Sequence, residues 1–249
     1  MLIDTHCHIY KEYYDNIDAI LTDATNNGVT KYVNNATNIH NCLEILDVAK
    51  DYDNMYCALG IHPESVENTD DEDLVKLEEL LKSDKVVAIG EIGLDYYYTK
   101  DNKEKQIELF ERQLKLAEKY KLPVIVHSRE ATLDTIECLK KYNVKGVIHS
   151  FSGSLETANI YIKMGFLLGV NGVITFKNCN LKDVYKFIDI HNIVLETDSP
   201  YLTPDPYRGK QNCPARIYDI AIFVAEIYGL TLEELEKVIS DNVKRVFDI

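Results

Sequence analysis

The chain has 249 residues, 46% hydrophobic and 27% charged, a balance that fits a folded protein with a full core and excludes a disordered or low-complexity chain. Its net charge of −14 argues against a general nucleic-acid-coating surface, which needs clustered Lys and Arg. The six cysteines include no C-x-x-C pair, so neither a disulfide framework nor a thiolate zinc knuckle is indicated.

The first residues, "LIDTHCH" (2–8), read as a strand and lack the basic and apolar regions of a secretory leader. No apolar run approaches the roughly 18 residues of a membrane span, so a cytoplasmic chain without a membrane segment is expected. Seven further β-branched runs follow at 31–36, 55–61, 86–93, 124–128, 146–151, 166–172 and 193–198. Helical patterns lie between them. The clearest, 101–121, has a capping-box-like start at Asp101 and Glu104 and an apolar stripe of Ile107, Phe110, Leu114 and Ala117. Near the C-terminus, Thr231 and Glu234 form a second capping box ahead of Leu235, Val238, Ile239 and Val246. Eight β-then-α units with short connections fit a TIM (β/α)8 barrel, with a doubly wound open sheet as the alternative. No linker divides the chain, so 1–249 is expected to be a single domain.

Unusual polar residues fall at the ends of these strands. His6 and His8, two apart on a strand, point to one face, roughly 6.6 Å apart along it. Glu91 sits late in the apolar "VVAIGEIG", where a buried carboxylate needs a partner or a cation. His127, His149 and Asp198 close the fifth, sixth and eighth strands. In a barrel these ends share one mouth, where active sites of this fold are built. Four histidines and two carboxylates there imply a metal site, and six ligands exceed what one tetrahedral catalytic ion takes from protein, so two divalent ions are expected. His6 and His8 are assigned to one, His127 and His149 to the other, with Glu91 bridging and Asp198 approaching from the eighth strand. Imidazole suits zinc, manganese and similar transition metals better than magnesium. Glu196 shares the face of Asp198 but lies deeper, and is expected to orient a ligand.

The segments "IDTHCH", "GIHPE", "AIGEIGLDYYY", "PVIVHSR", "IHSFSG", "ETDSPYLTP" and "YRGKQN" together resemble the TatD family of metal-dependent deoxyribonucleases, from Ile3 to about Phe247. The resemblance implies an amidohydrolase-like TIM barrel holding two divalent ions (zinc, manganese, magnesium or similar). His6, His8 and Glu91 would hold one; Glu91, His127 and His149 would hold the second. Asp198 would serve as ligand and proton acceptor, making it and Glu91 catalytic, while His62, Arg129 and Arg208 would face the substrate phosphate. DNA is the implied substrate, attacked at ends or in single strands in a 3′–5′ exonuclease-like manner, with no obligate protein partner. Many relatives carry an acidic residue where this chain has Cys213. Tyr96–Tyr98 would stack bases or cover the barrel rim. Two other readings keep the residues but change the function: an ester or amide hydrolase such as an aminoacyl-tRNA deacylase, and a noncatalytic metal-binding module.

Overall fold

The computed structural model describes residues 1–249. Eight parallel strands form one sheet in chain order: β1 (Leu2–Cys7), β2 (Val29–Asn35), β3 (Met55–Leu59), β4 (Val86–Asp95), β5 (Val124–Arg129), β6 (Gly146–Ile148), β7 (Phe166–Val170) and β8 (Ile193–Leu195). Cys7 and Ser199 make a parallel bridge between β1 and the segment after β8, which closes the sheet. The fold is therefore a TIM (β/α)8 barrel, as the alternation of strand and helix predicts. Strands covered on both faces become continuous apolar runs, which is why all ten residues of β4 and all five of β7 are buried.

The chain packs as two compact units, Met1–Asn34 with Ser150–Ile249, and Asn35–His149. The first carries β1, β7, β8 and the helices α1 (Ile17–Asn26), α6 (Leu155–Lys163), α7 (Leu181–Tyr185), α8 (Ile217–Tyr228) and α9 (Leu232–Phe247). In α9 the expected capping box is present, Thr231 and Glu234 each closing on the other's backbone. Its stripe buries Leu235, Ile239, Val243 and Val246 at helical spacing. No helix in the chain is long and apolar enough to cross a membrane.

The second unit carries β3–β6 with α2 (Ile39–Ala49), α3 (Asp71–Leu80), α4 (Lys103–Tyr120) and α5 (Thr132–Leu139). Helix α4 buries Phe110, Leu114 and Ala117 as expected, and removing the Phe110 ring would cost about 3–5 kcal/mol. Its start differs from expectation. The N-cap is Asn102, with no side-chain cap bond, because the Asn102 amide oxygen instead accepts from Gln106 Nε2 at 2.8 Å.

Four strands, β1, β2, β3 and β7, end one or two residues before the expected runs do, and two end three residues sooner, at Ile148 and Leu195, where the residues just beyond explain it. Ser150 and Asp198 adopt φ of 48° and 56°, left-handed conformations that cannot continue a β ladder. β4 runs on to Asp95, pairing Gly93 with His127 and Asp95 with Arg129.

Candidate metal centre

In the first unit, β1 delivers His6 and His8 to one face. Their Nε2 atoms lie 3.2 Å apart, and both side chains are buried. Asp198 Oδ1 stands 3.6 Å from His6 Nε2 and 3.4 Å from His8 Nε2. Asp198 reaches them from the loop after β8 rather than from the strand itself, its backbone N–H donating to the His6 carbonyl at 2.9 Å. His8 Nδ1 lies 3.0 Å from Tyr10 Oη, and a proton on Nδ1 directed there leaves the Nε2 lone pair facing His6 and Asp198.

Buried side chains hold this irregular backbone in place. Asn34 accepts from the Ile9 N–H at 2.8 Å and donates to the Ile9 carbonyl at 3.1 Å, fixing the chain just past His8. Asn212 donates to the carbonyls of Thr197 and Tyr201 at 3.0 and 2.6 Å, spanning the Asp198 turn. Asp4 accepts from the Thr197 hydroxyl and N–H at 2.6 and 2.9 Å, and burial pushes its carboxyl up to about 8 despite those bonds.

The second unit gathers Glu91, His127, His149 and His62. Glu91 Oε1 lies 2.9 Å from His127 Nδ1, 3.7 Å from His149 Nε2 and 3.6 Å from His62 Nε2. His62 is buried in this cluster, its ring 4.5 Å from that of His127. Its Nδ1 accepts from the Glu64 N–H at 3.2 Å, which in the neutral ring leaves the proton on Nε2, facing Glu91. That turns an N–H, rather than a lone pair, toward the carboxylate 3.6 Å away.

Asp95 is a site residue that the sequence reading did not single out. Its Oδ2 lies 2.9 Å from His127 Nε2, so the imidazole is held between two carboxylates. Burial disfavours the His127 charge, but the bonds to Asp95 and Glu91 prevail and push its pKa up to about 9. Burial likewise opposes ionisation of Asp95, yet the His127 bond, the Tyr97 amide and the nearby Arg129 charge hold it below the usual carboxylate range. Two buried glutamines of α4 fix the backbone here. Gln106 exchanges hydrogen bonds with Asp95 N–H and C=O, both 2.9 Å, and Gln113 does the same with Ile61, at 2.8 and 2.9 Å, one residue before His62. Each stands in for a missing β partner, and losing one would strand buried backbone groups at about 1–3 kcal/mol apiece.

Other expected residues behave differently. Arg129 is exposed, with its guanidinium packed over the Tyr97 ring at 3.6 Å, rather than reaching inward as its strand parity predicts. Tyr97 and Tyr98 are themselves exposed at the rim, whereas Tyr96 is buried and donates to Asp134 at 2.9 Å. Arg208 packs over the Phe176 ring at 3.9 Å. Glu196 is fully buried, and its Oε1 accepts from the Ser150 N–H at 2.7 Å. Room for that carboxylate exists only because β7 has a glycine beneath it: a Cβ on Gly169 would lie 2.3 Å from Glu196 Oε2. Cys213 is half-buried, and burial raises its thiol pKa.

The donor chemistry fits divalent cations. His6, His8 and Asp198 offer two imidazole nitrogens and a carboxylate oxygen separated by 3.2–3.6 Å. Ligands about 2.0–2.1 Å from a tetrahedral ion lie about 3.3 Å from one another, so the set already has the edge lengths of such a shell. His62, Glu91 and His127 form a second group whose ligand atoms lie within 4.8 Å of one another, which His62 would join only by giving up its Nε2 proton, and His149 is also turned toward Glu91.

Comparison with known proteins gives the same picture over the whole chain. Residues 3–248 match the family model described as TatD related DNase. A Bacillus subtilis protein, the uncharacterized metal-dependent hydrolase YabD, is 39% identical with all of both chains covered. The Escherichia coli uncharacterized metal-dependent hydrolase YcfH is 36% identical, covering 100% of this chain and 96% of its own. The crystal structure of YjjV, a TatD homologue from Escherichia coli, superposes with a TM-score of 0.94 at 34% identity, over 100% of this chain and 98% of that one.

Proposed function

Because the chain belongs to the TatD family of metal-dependent hydrolases, we propose that it cleaves phosphodiester bonds in DNA, acting at ends or in single strands, with one divalent ion on each donor set. The observation that carries this reading is the His6–His8–Asp198 triangle, whose edges suit a cation and whose carboxylate stands at the rim of a buried pair of imidazoles. Bound ions would supply a water of lowered pKa and polarise the phosphoryl oxygen. Asp198, 14% exposed against the near-complete burial of the histidines, would take the proton from attacking water. His62 presents its Nε2 proton to a phosphate oxygen, and Arg208 offers a guanidinium fork to a neighbouring phosphate. Glu91 and Asp95 hold the His127 ring in one orientation.

The acidic exterior supports short or single-stranded substrates. With a net charge of −14, a long duplex lying across the surface would be repelled, so phosphate contacts would be confined to a few cations such as Arg208.

The test combines metal analysis of the purified protein with activity on end-labelled single-stranded DNA, with manganese or magnesium and then with chelator. Metal-dependent shortening from one end is expected, and it should stop on chelation. Protein that binds metal, leaves DNA intact and hydrolyses an aminoacyl ester would replace this reading with that of an ester hydrolase.

A further inference from the structure

The segments that follow β7 and β8 enclose a cavity of about 550 Å³ that none of the donor groups occupies. Its walls include Val173, Phe176 and Cys179 from the first segment and Asp205 and Arg208 from the second, with Lys177 at its edge. The second segment is the one that carries Asp198, seven residues before Asp205 in the chain. We propose that this cavity is a nucleobase subsite, taking one flat base of a single-stranded substrate against Phe176 and Arg208; the inference rests on the reading of the protein as a nuclease and names how it would hold its strand.

Three observations point to a base. The first is shape and chemistry: an apolar floor with an aromatic ring, and a guanidinium held 3.9 Å from the ring centroid, form a layered surface on which a π-system stacks. The second is charge. Lys103, Lys105, Lys119 and Lys141 each hold a carboxylate at 2.5–2.7 Å, whereas no ion pair joins Arg208 or Lys177 to an acid. On a chain this acidic, Arg208 and Lys177 outnumber the one carboxylate of the cavity, Asp205, and two cations beside an aromatic ring suit a ligand that is both flat and anionic, which a nucleotide is. The third is rigidity. Thr175 Oγ1 donates to the Gly172 carbonyl at 2.7 Å and accepts from the Asp205 N–H at 2.9 Å, tying the two segments together. They approach so closely that a Cβ on Gly172 would lie 2.2 Å from the Leu202 carbonyl oxygen. The cavity is thus built before any ligand arrives, which lowers the ordering cost of binding.

The subsite is tested by calorimetric binding of a thymidine trinucleotide to the calcium-loaded, full-length protein, alongside three analogues that each lack one base. The intact trinucleotide should bind about tenfold more tightly than one of the three analogues, the loss expected from one stacked base. Phe176→Ala should erase that difference and Phe176→Tyr should keep it, both variants melting like the parent protein. Equal binding of all four ligands, a difference that survives Phe176→Ala, or no binding of the trinucleotide would overturn the inference. Hydrolysis of methyl p-nitrophenyl phosphate, which has no base, judges the parent reading separately: the wild-type protein should turn it over with manganese whether or not the base-dependent difference in binding is found. Failure of the wild-type protein to cleave any phosphodiester, with base-dependent binding intact, would sink the nuclease reading and leave the base subsite standing.

Discussion

In the His6–His8–Asp198 set the ligand atoms stand 3.2–3.6 Å apart and the histidines share a single carboxylate at 3.4 Å or more, whereas in the Glu91 set His127 is gripped by two carboxylates at 2.9 Å each. The first set has the spacing of a coordination shell. The second has the spacing of hydrogen bonds, with a proton on His127 offsetting the charge of Glu91 and Asp95. An arriving cation must therefore displace that proton in the second set, while in the first it meets donors already at ligand separations. One sequence supplies histidine and carboxylate to both places, and the backbone around each decides whether protein or metal neutralises them.

The largest expected effect comes from Glu91. Glu91→Ala should remove metal from the second set and lower turnover by at least about 10³-fold, measured by metal analysis and by release of labelled nucleotide. If that variant keeps full metal content and activity, Glu91 has no place in the centre. Glu91→Gln, which preserves volume, controls for misfolding.

Asp198→Asn should retain both histidines and the fold while slowing turnover by about 10²–10³-fold, because an amide cannot accept the water proton. A drop in metal affinity with an unchanged rate at saturating metal would assign Asp198 to ligation alone.

A smaller effect is expected at Tyr10. Tyr10→Phe removes the hydroxyl facing His8 Nδ1 and should weaken metal binding by about tenfold, read by chelator competition. No change would mean that another group sets the His8 tautomer.

The mildest test is pH. In chelator-treated protein the His127 pKa lies above its ordinary 6.5, at about 9, so its contribution to stability is fully present below about 6.5 and lost as pH rises through 9. Thermal melts at pH 6.5 and 9.5 should show that loss, and added divalent metal should reverse it at the higher pH. Identical melts with and without metal at both values would remove the contrast between the two sets.

Much of this arrangement is readable in the sequence because barrel strands announce themselves as apolar runs and a charged group at their ends stands out. Glu91, His127 and the H-x-H pair are visible for that reason. Asp95 carries the same signal, since it lies four residues after Glu91 and so shares its strand face, but the apolar run stops at Gly93 and the acid directly precedes three tyrosines. Gln106 and Gln113 were hidden differently. They occupy stripe positions of α4, where an amide looks like a polar interruption, and only the folded backbone shows two irregular strand ends waiting for a donor and an acceptor. The capping box at Asp101 failed for a related reason, its neighbour Asn102 being engaged with Gln106. Arg129 has the parity of His127, but the rim tyrosines offer its guanidinium a closer aromatic surface.

Position 169 turns an omission into a requirement. A single added methyl group would lie 2.3 Å from Glu196 Oε2, and the carboxylate has little freedom to retreat while it anchors the Ser150 amide at 2.7 Å. Alanine, the mildest substitution in most buried strands, would here push the Glu196 carboxylate aside and loosen the turn that directly follows His149. Mutational scans of this barrel should register a cost at position 169 although it has no side chain to lose.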